Sequence, residues 1–218
     1  MIIAIDGPAG AGKSTIATAV ARTLGFQLID TGAMFRTVAV KAEELGIDLE
    51  DGSQVAKLAS ELEFSFELEE AGNVVFCNGE RMGDTIRTPD ASRHASIVSA
   101  HPQVRQVLLN LQRAAGKRAP SVIEGRDIGT VVFPDAEVKI FLTANPNVRA
   151  QRRVEQLRFA GEDSEFEEVL DEIVKRDERD TTRQVAPLVK ADDAIEVDSS
   201  TQSVEEIVAR VVAQIKSP

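Results

Sequence analysis

Short apolar runs alternate with stretches of helical periodicity along most of the chain. Met1-Ile2-Ile3-Ala4-Ile5 ends at Asp6, and residues 26–30, 121–124, 138–142 and 194–198 form similar short runs that predict strands. Between them lie helical patterns. One covers residues 16–24 and is closed by Gly25, a second runs over about 33–45 and stops near Gly46, and a third, around 53–61, places Val55, Leu58, Ala59 and Leu62 on one face. A helix opened by Pro102 spaces Val104, Val107, Leu108 and Leu111 at i, i+3, i+4 and i+7. Asn145-Pro146 supplies a cap and a first-turn proline for a long helix, a polar helix spans about 164–181, and Ser203-x-x-Glu206 is a capping box for the last one. Five strands joined by helical crossovers predict a parallel sheet in an α/β fold, with ligands at the carboxyl ends of the strands. One stretch breaks the pattern. Residues 63–68 alternate with period two, 73–77 is another strand candidate, and Ala71-Gly72-Asn73 and Asn78-Gly79 mark turns, so a small antiparallel insertion is expected there.

Composition changes this picture little but narrows the function. The chain has 218 residues, 43% hydrophobic and 28% charged, as expected of a soluble globular protein. The first apolar run is too short for a signal-peptide core or a membrane span, and no later run approaches that length. The single cysteine, Cys77, excludes an internal disulfide and sits in an apolar run, so a buried small hydrophobe is expected and a cytoplasmic location follows. A net charge of −11 argues against a broad grip on nucleic acid or an anionic membrane. It leaves open a small phosphorylated ligand held by a local cluster of arginines.

The strongest chemical signal follows the first strand. Gly7-Pro8-Ala9-Gly10-Ala11-Gly12-Lys13-Ser14, with Thr15 behind it, matches G-x-x-x-x-G-K-[ST] between a strand and a helix. That arrangement turns backbone N–H groups inward around a phosphate chain. Lys13 is placed to reach the β- and γ-phosphates and the Ser14 hydroxyl to ligate Mg²⁺. A chance glycine-rich turn is the alternative, and the two correct flanks weigh against it.

Three further constellations follow later strands and helices. In Asp30-Thr31-Gly32-Ala33-Met34-Phe35-Arg36, a strand-end acid, a hydroxyl and an arginine suit a second ligand, although an ordinary helix cap with a surface arginine would read the same way. In Glu124-Gly125-Arg126-Asp127-Ile128-Gly129-Thr130, Glu124 holds the strand-end position of a carboxylate near Mg²⁺, Arg126 suits a phosphate and Asp127 a base; a surface turn with a salt bridge is the alternative. In Arg176-Asp177-Glu178-Arg179-Asp180-Thr181-Thr182-Arg183, residues 176, 180 and 183 share a face if the helix continues that far, against the alternative of a solvated mixed-charge helix. Arg149, Arg152 and Arg153, with Gln156, begin another helix and would suit a closure over the triphosphate. Such an arginine supply fits phosphoryl transfer between two anions, with no covalent nucleophile required.

These four segments, extended by Val131-Val132-Phe133-Pro134 and by Ala186-Pro187-Leu188, resemble bacterial cytidylate kinases, nucleoside monophosphate kinases of the P-loop class, over nearly the whole chain. The resemblance implies a single kinase domain over 1–218, with a five-stranded parallel sheet and an antiparallel three-stranded insertion. It also implies a monophosphate-binding region at about 36–105, containing the insertion at about 63–82, and a lid at about 149–168. The implied reaction passes the γ-phosphoryl group of ATP to CMP or dCMP, with Mg²⁺, in pyrimidine nucleotide metabolism. The ATP-binding residues would be Gly7, Pro8, Ala9, Gly10, Ala11, Gly12, Lys13, Ser14 and Thr15, with Ser14 and Glu124 toward the metal. Ser96, Arg105 and Asp127 match positions that read cytosine, whose amino donor and ring acceptors they complement. Arg36, Arg126 and Arg183 match the acceptor-phosphate grip, with Asp30 and Thr31 beside them. Asp180 and Arg176 match pentose contacts and Arg152 the lid, so that Lys13, Arg126, Arg152 and Arg183 would serve the transfer itself. Phe35 and Glu124 depart from a tyrosine and an aspartate common in that family. His94 and His101 have no part in this scheme, and His101 is expected to cap its helix or lie at the surface.

Other classes fit less well. A regulatory GTPase should show D-x-x-G and N-K-x-D, and the chain has neither. Kinases of UMP, shikimate or dephospho-coenzyme A are nearer rivals, which the cytosine-matching trio and the insertion disfavour. The expected partners are free CMP and dCMP, acted on by a monomer, with no nucleic-acid polymer and no membrane.

Overall fold

All five apolar runs form strands, and the helical patterns form helices between them. A computed structural model describes residues 1–159 and 161–215; residue 160, inside the expected lid, and residues 216–218, at the end of the expected domain, lie outside the described residues. The elements are β1 (Ile2–Asp6), α1 (Lys13–Leu24), β2 (Gln27–Asp30), α2 (Thr31–Glu44), α3 (Gly52–Ser60), β3 (Phe64–Glu69), β4 (Gly72–Cys77), β5 (Glu80–Arg81), α4 (Pro89–Val98) and α5 (Pro102–Gly116). The chain continues through β6 (Ser121–Gly125), a π-helical turn (Ile128–Val132), β7 (Val138–Thr143), α6 (Pro146–Phe159), α7 (Phe166–Thr182), β8 (Ile195–Asp198) and α8 (Val204–Ile215). A five-stranded parallel sheet has the order β2-β6-β1-β7-β8, and β3-β4-β5 form a separate antiparallel sheet. This is the α/β fold with an antiparallel insertion that the hydrophobic pattern predicts.

The chain divides into two units, one of Met1–Ile2 with Ala21–Glu124, the other of Ile3–Val20 with Gly125–Pro218. In the first unit, Phe64 and Phe66 of β3 are buried while Ser65 and Glu67 face out, which is the period-two pattern of a half-covered sheet. Val55, Leu58, Ala59 and Leu62 are buried together as their spacing predicts, and Cys77 is buried and free. Burial pushes the Cys77 thiol upward, away from nucleophilic use. Helix α4 has no counterpart among the expected elements. Its core face is made of Ala91, Ala95 and Val98, too small and sparse to register as a hydrophobic stripe, yet Thr88 caps it by accepting the Ala91 amide at 3.0 Å and Pro89 opens its first turn. Helix α2 begins two residues before its expected start because Asp30 caps it, and Asp51 caps α3 in the same way.

In the second unit, Ile3, Ala4 and Ile5 of β1 pair with β7 and are fully buried, as near-continuous apolar strands of a parallel sheet should be. Ala150, Val154 and Leu157 of α6 pack on Val169 and Ile173 of α7. The capping box of α8 forms in both directions: the Ser203 amide donates to Glu206 Oε2 at 2.8 Å and the Glu206 amide to Ser203 Oγ at 3.2 Å.

One close approach fixes the point where β1 becomes a loop. Gly7 has φ +149, and a Cβ there would lie 2.0 Å from the main-chain oxygen of Leu142 in β7. Only glycine fits that conformation and that gap. Gly7→Ala is expected to cost about 3 kcal/mol or more of folding stability. An unchanged urea-denaturation midpoint would contradict this account of the strand end.

Candidate functional site

The phosphate-loop sequence lies in the second unit, between β1 and α1. Gly7, Gly10 and Gly12 all take positive φ, and Lys13, Ser14 and Thr15 open the helix, whose first turn carries no acidic residue. The loop therefore presents a positive helix end without a competing carboxylate. Lys13 is buried and donates to the carbonyl of Pro8 at 2.7 Å, while Ser14 and Thr15 are exposed. Two arginines of α6 are tied to this loop. Arg149, 3% exposed, donates from Nη1 to Ala9 O at 3.0 Å, from Nε to Ala144 O at 3.0 Å and from Nη2 to Asp177 Oδ2 at 2.6 Å. Arg152 donates to Oγ and O of Ser199 at 3.0 and 2.6 Å, and Ser199 Oγ donates in turn to Ala11 O at 2.8 Å. Arg149 thus braces the loop, with its guanidinium engaged by two main-chain oxygens and Asp177.

Beyond the same strand end, Asp6 receives the Ile128 and Gly129 amides, on Oδ1 and Oδ2, at 2.8 and 2.7 Å. These amides belong to the π-helical turn that follows Arg126 and Asp127. Arg126 Nε donates to Asp180 Oδ2 at 3.0 Å, and Arg183 stands 3.6 Å from Asp180 Oδ1 and 3.8 Å from Asp127 Oδ1. Helix α7 stops at Thr182, so Arg183 is brought in by the turn beyond the helix and not by a shared helical face. Its Nε donates to Ala186 O at 2.6 Å, with Ala186 in the left-handed region at φ +52, and the Leu188 amide closes the turn onto Asp180 O at 2.8 Å. Burial raises the Asp180 carboxyl, but Arg126, Arg176 and Arg183 together outweigh it and hold the group below its ordinary 3.8. Asp180 is the common anion of this arginine set.

The remaining expected residues lie in the first unit. Asp30 Oδ1 accepts the Ala33 amide at 2.9 Å and Oδ2 pairs with Arg36 at 2.8 Å, so the cap and the charged pair are the same residue. Thr31 Oγ1 donates to Glu124 O at 2.7 Å, across the register that sets Asp30 beside Glu124. Glu124 itself is buried. Ser96 is half-buried on α4. Arg105, on α5, is buried with its guanidinium 5.4 Å from the centre of the Phe35 ring and donates to Ser99 O at 3.4 Å. The phenyl face at position 35 serves as a platform for Arg105. His101 holds the cap position of α5 without capping it: its ring bonds Leu49 O at 2.8 Å, tying α5 to the segment before α3. Among the described residues, no group of three or more His, Cys, Asp or Glu is gathered as a metal centre would require.

A family model described as cytidylate kinase matches residues 3–217. A cytidylate kinase of Pelotomaculum thermopropionicum is 48% identical over 216 residues, 99% of this chain and 96% of that protein. The chain belongs to the cytidylate kinase family. A second member, from Geobacter sulfurreducens, is 45% identical over 99% of this chain and 93% of its own length. Among solved structures, an uncharacterized protein of Eubacterium ventriosum superposes with a TM-score of 0.56 at 14% identity, covering 100% of this chain and 99% of that one, which is a likeness of fold. Three residues to which sequence reasoning gave no role hold the geometry of the site: Asp6, Ser199 and Ala186. Asp6 shows in the sequence as a lone carboxylate ending an apolar strand and Ala186 as part of the Ala186-Pro187-Leu188 segment, while nothing along the chain marks Ser199.

Replacing the common anion tests the arginine set. Asp180→Asn is expected to destabilise the fold by about 3–5 kcal/mol near neutral pH, because it takes from Arg126 the carboxylate it bonds and from Arg176 and Arg183 their nearest shared anion. The wild-type carboxyl stabilises most above 3.8 and loses that contribution as pH falls toward its lower folded-state value. The penalty of the substitution should therefore shrink in acid; a penalty that stays constant down to pH values below 3.8 would contradict the assignment.

Proposed function

We propose that this chain transfers the γ-phosphoryl group of ATP to CMP or dCMP, giving ADP and CDP or dCDP. The observation that carries this reading is the arginine set on Asp180, in the same unit as a phosphate loop and in a chain of the cytidylate kinase family. A phosphate loop alone serves many reactions. An added cluster of guanidinium groups has its use where the acceptor is itself a phosphate, because donor and acceptor anions repel.

In this reading the backbone amides of residues 7–15 hold the donor phosphates, and Lys13 leaves the Pro8 carbonyl for the β- and γ-phosphates. Arg126 and Arg183, with Arg36, grip the acceptor phosphate, while Asp180 and Arg176 meet the pentose. Arg152 exchanges Ser199 for the transferred group, within a lid at about 149–168. Ser96, Arg105 and Asp127 read the cytosine edge, with Asp30 and Thr31 supporting Arg36 in the monophosphate-binding region at about 36–105. The whole of 1–218 acts as one kinase domain.

Mg²⁺ fits the residues present. One hydroxyl, from Ser14, and one carboxylate, from Glu124, suit an ion that keeps several waters and takes its other oxygens from substrate phosphates. When bound, the ion neutralises charge on the β- and γ-oxygens. Among the described residues no helix is long and apolar enough to cross a membrane, and the acidic balance favours free nucleotides over a polymer. The proposal extends to a cytoplasmic monomer.

A coupled ADP-release assay across CMP, dCMP, UMP, AMP, GMP and shikimate tests the substrate class. CMP and dCMP should be turned over fastest, and a preference for shikimate or a purine nucleotide would overturn the reading. Lys13→Ala is expected to lower kcat by about 100-fold or more in a folded protein; near-normal turnover would sink the mechanism. Asp127→Ala and Arg105→Met should each raise KM for CMP by about tenfold or more while KM for ATP moves little. An equal loss for both nucleotides would remove these residues from the base site.

A further inference from the structure

Asp127 occupies the cap position of the π-helical turn Ile128–Val132, yet its side chain makes no capping bond there. Aspartate is among the best residues at such a position because its carboxylate accepts the orphan amides that follow it. Here those amides go elsewhere. The Val131 and Val132 amides bond Asp127 O at 2.9 and 3.1 Å, and the Phe133 amide bonds Ile128 O at 2.7 Å, so the later part of the turn is satisfied internally. The first two amides, of Ile128 and Gly129, are taken by the two oxygens of Asp6, a residue 122 positions earlier in the chain. The Asp127 carboxylate lies instead toward Arg183, at 3.8 Å.

This arrangement is the more expensive of the two available. Asp6 is 5% exposed, and burial pushes its carboxyl up to about 6, with the two amides and Lys13 pulling it down and Asp127 adding to the rise. A cap supplied by Asp127 itself would have avoided burying a second carboxylate beside the first. The approach is also close: a Cβ on Gly129 would come within 3.4 Å of Asp6 Oδ2 and 3.2 Å of the Lys139 side chain. We infer that Asp6 is a positioning residue that caps this turn in place of Asp127, and so leaves the Asp127 carboxylate to face the acceptor base. The inference rests on the reading of Asp127 as a base contact. It makes the last residue of the strand that enters the donor loop also the residue that fixes the acceptor-reading turn.

Asp6→Asn keeps the shape of the side chain but replaces one accepting oxygen by an NH₂ group, so one amide loses its partner. Amide hydrogen exchange at Ile128 and Gly129 should accelerate, and KM for CMP should rise about tenfold, as expected when a substrate contact is displaced by a fraction of an ångström to an ångström. KM for ATP should change by less than about twofold, and Asp6→Asn added to Asp127→Ala should raise KM for CMP by less than about twofold further, because the two substitutions act through one contact. Unchanged exchange at both amides overturns the cap. An equal rise in KM for CMP with and without Asp127 overturns its route, and an equal loss for CMP and ATP makes Asp6 a general support. Failure of the base reading is scored separately, by Asp127→Ala alone leaving KM for CMP unchanged, and the purpose assigned to Asp6 then falls with it. Should Asp6→Asn not fold, the wild-type protein decides: the amide signals of Ile128 and Gly129 must move together with one carboxyl titration raised above the ordinary 3.8, followed from neutral pH down to below that value, with Lys13 and Asp127 the charged groups facing it. Amide signals that stay still through that range overturn the inference.

Discussion

Guanidinium groups repel one another, and the second unit holds Arg126, Arg176 and Arg183 around the carboxylate of Asp180, with Asp127 beside Arg183. Everything proposed for the acceptor phosphate depends on Asp180 tolerating burial among them. Desolvation alone would raise the pKa of such a group; the surrounding positive charge reverses that direction and favours the ionised form. The arrangement is asymmetric in a useful way. The arginines outnumber these carboxylates and leave the cluster with net positive charge, which suits a ligand that carries two negative charges of its own. In a chain with a net charge of −11, this local reversal of sign matters more than the global balance.

The donor side rests on a different device. Arg149 is buried and spends its donors on main-chain oxygens of Ala9 and Ala144 and on Asp177, so it joins the phosphate loop to the start of α6 and to α7. Asp177 stands next to Arg176 and one turn before Asp180. Helix α7, which carries Arg176 and Asp180, and the phosphate-loop segment are thereby braced by one side chain. Planarity and a fixed fork of donors make arginine suited to this task where lysine would not be.

Much of the fold was legible because the signals were local. Apolar strands bounded by glycine or acids, the capping box at Ser203 and Glu206, and the period-two alternation at Phe64 and Phe66 each declare their element without reference to the rest of the chain. Helix α4 was missed because alanine faces give no hydrophobic contrast, although Thr88-Pro89 marked its start. Of the candidate site, the sequence carried the residue types and some local pairings: Asp30 caps α2 and pairs with Arg36, as an acid and an arginine one to two turns apart can, and Asp180 lies within reach of Arg183. Its longer-range wiring was not legible. That Asp6 accepts amides 122 positions away, that Arg152 rests on Ser199, and that Arg183 is aimed by a carbonyl of Ala186 are consequences of tertiary proximity, and no spacing along the chain encodes them.

The glycine at the end of β1 shows how differently two loop glycines are constrained. At Gly12 the nearest atom to an added Cβ is the tip of the Arg152 side chain, 3.9 Å away, so space is not the obstacle and the constraint is the residue's own backbone, at φ +87. At Gly7 the obstacle is the main-chain oxygen of Leu142, which every amino acid at position 142 would supply. No second substitution at that neighbour can relieve a first one at Gly7. The position has no compensating partner: it can be changed only by rebuilding the pairing of two strands.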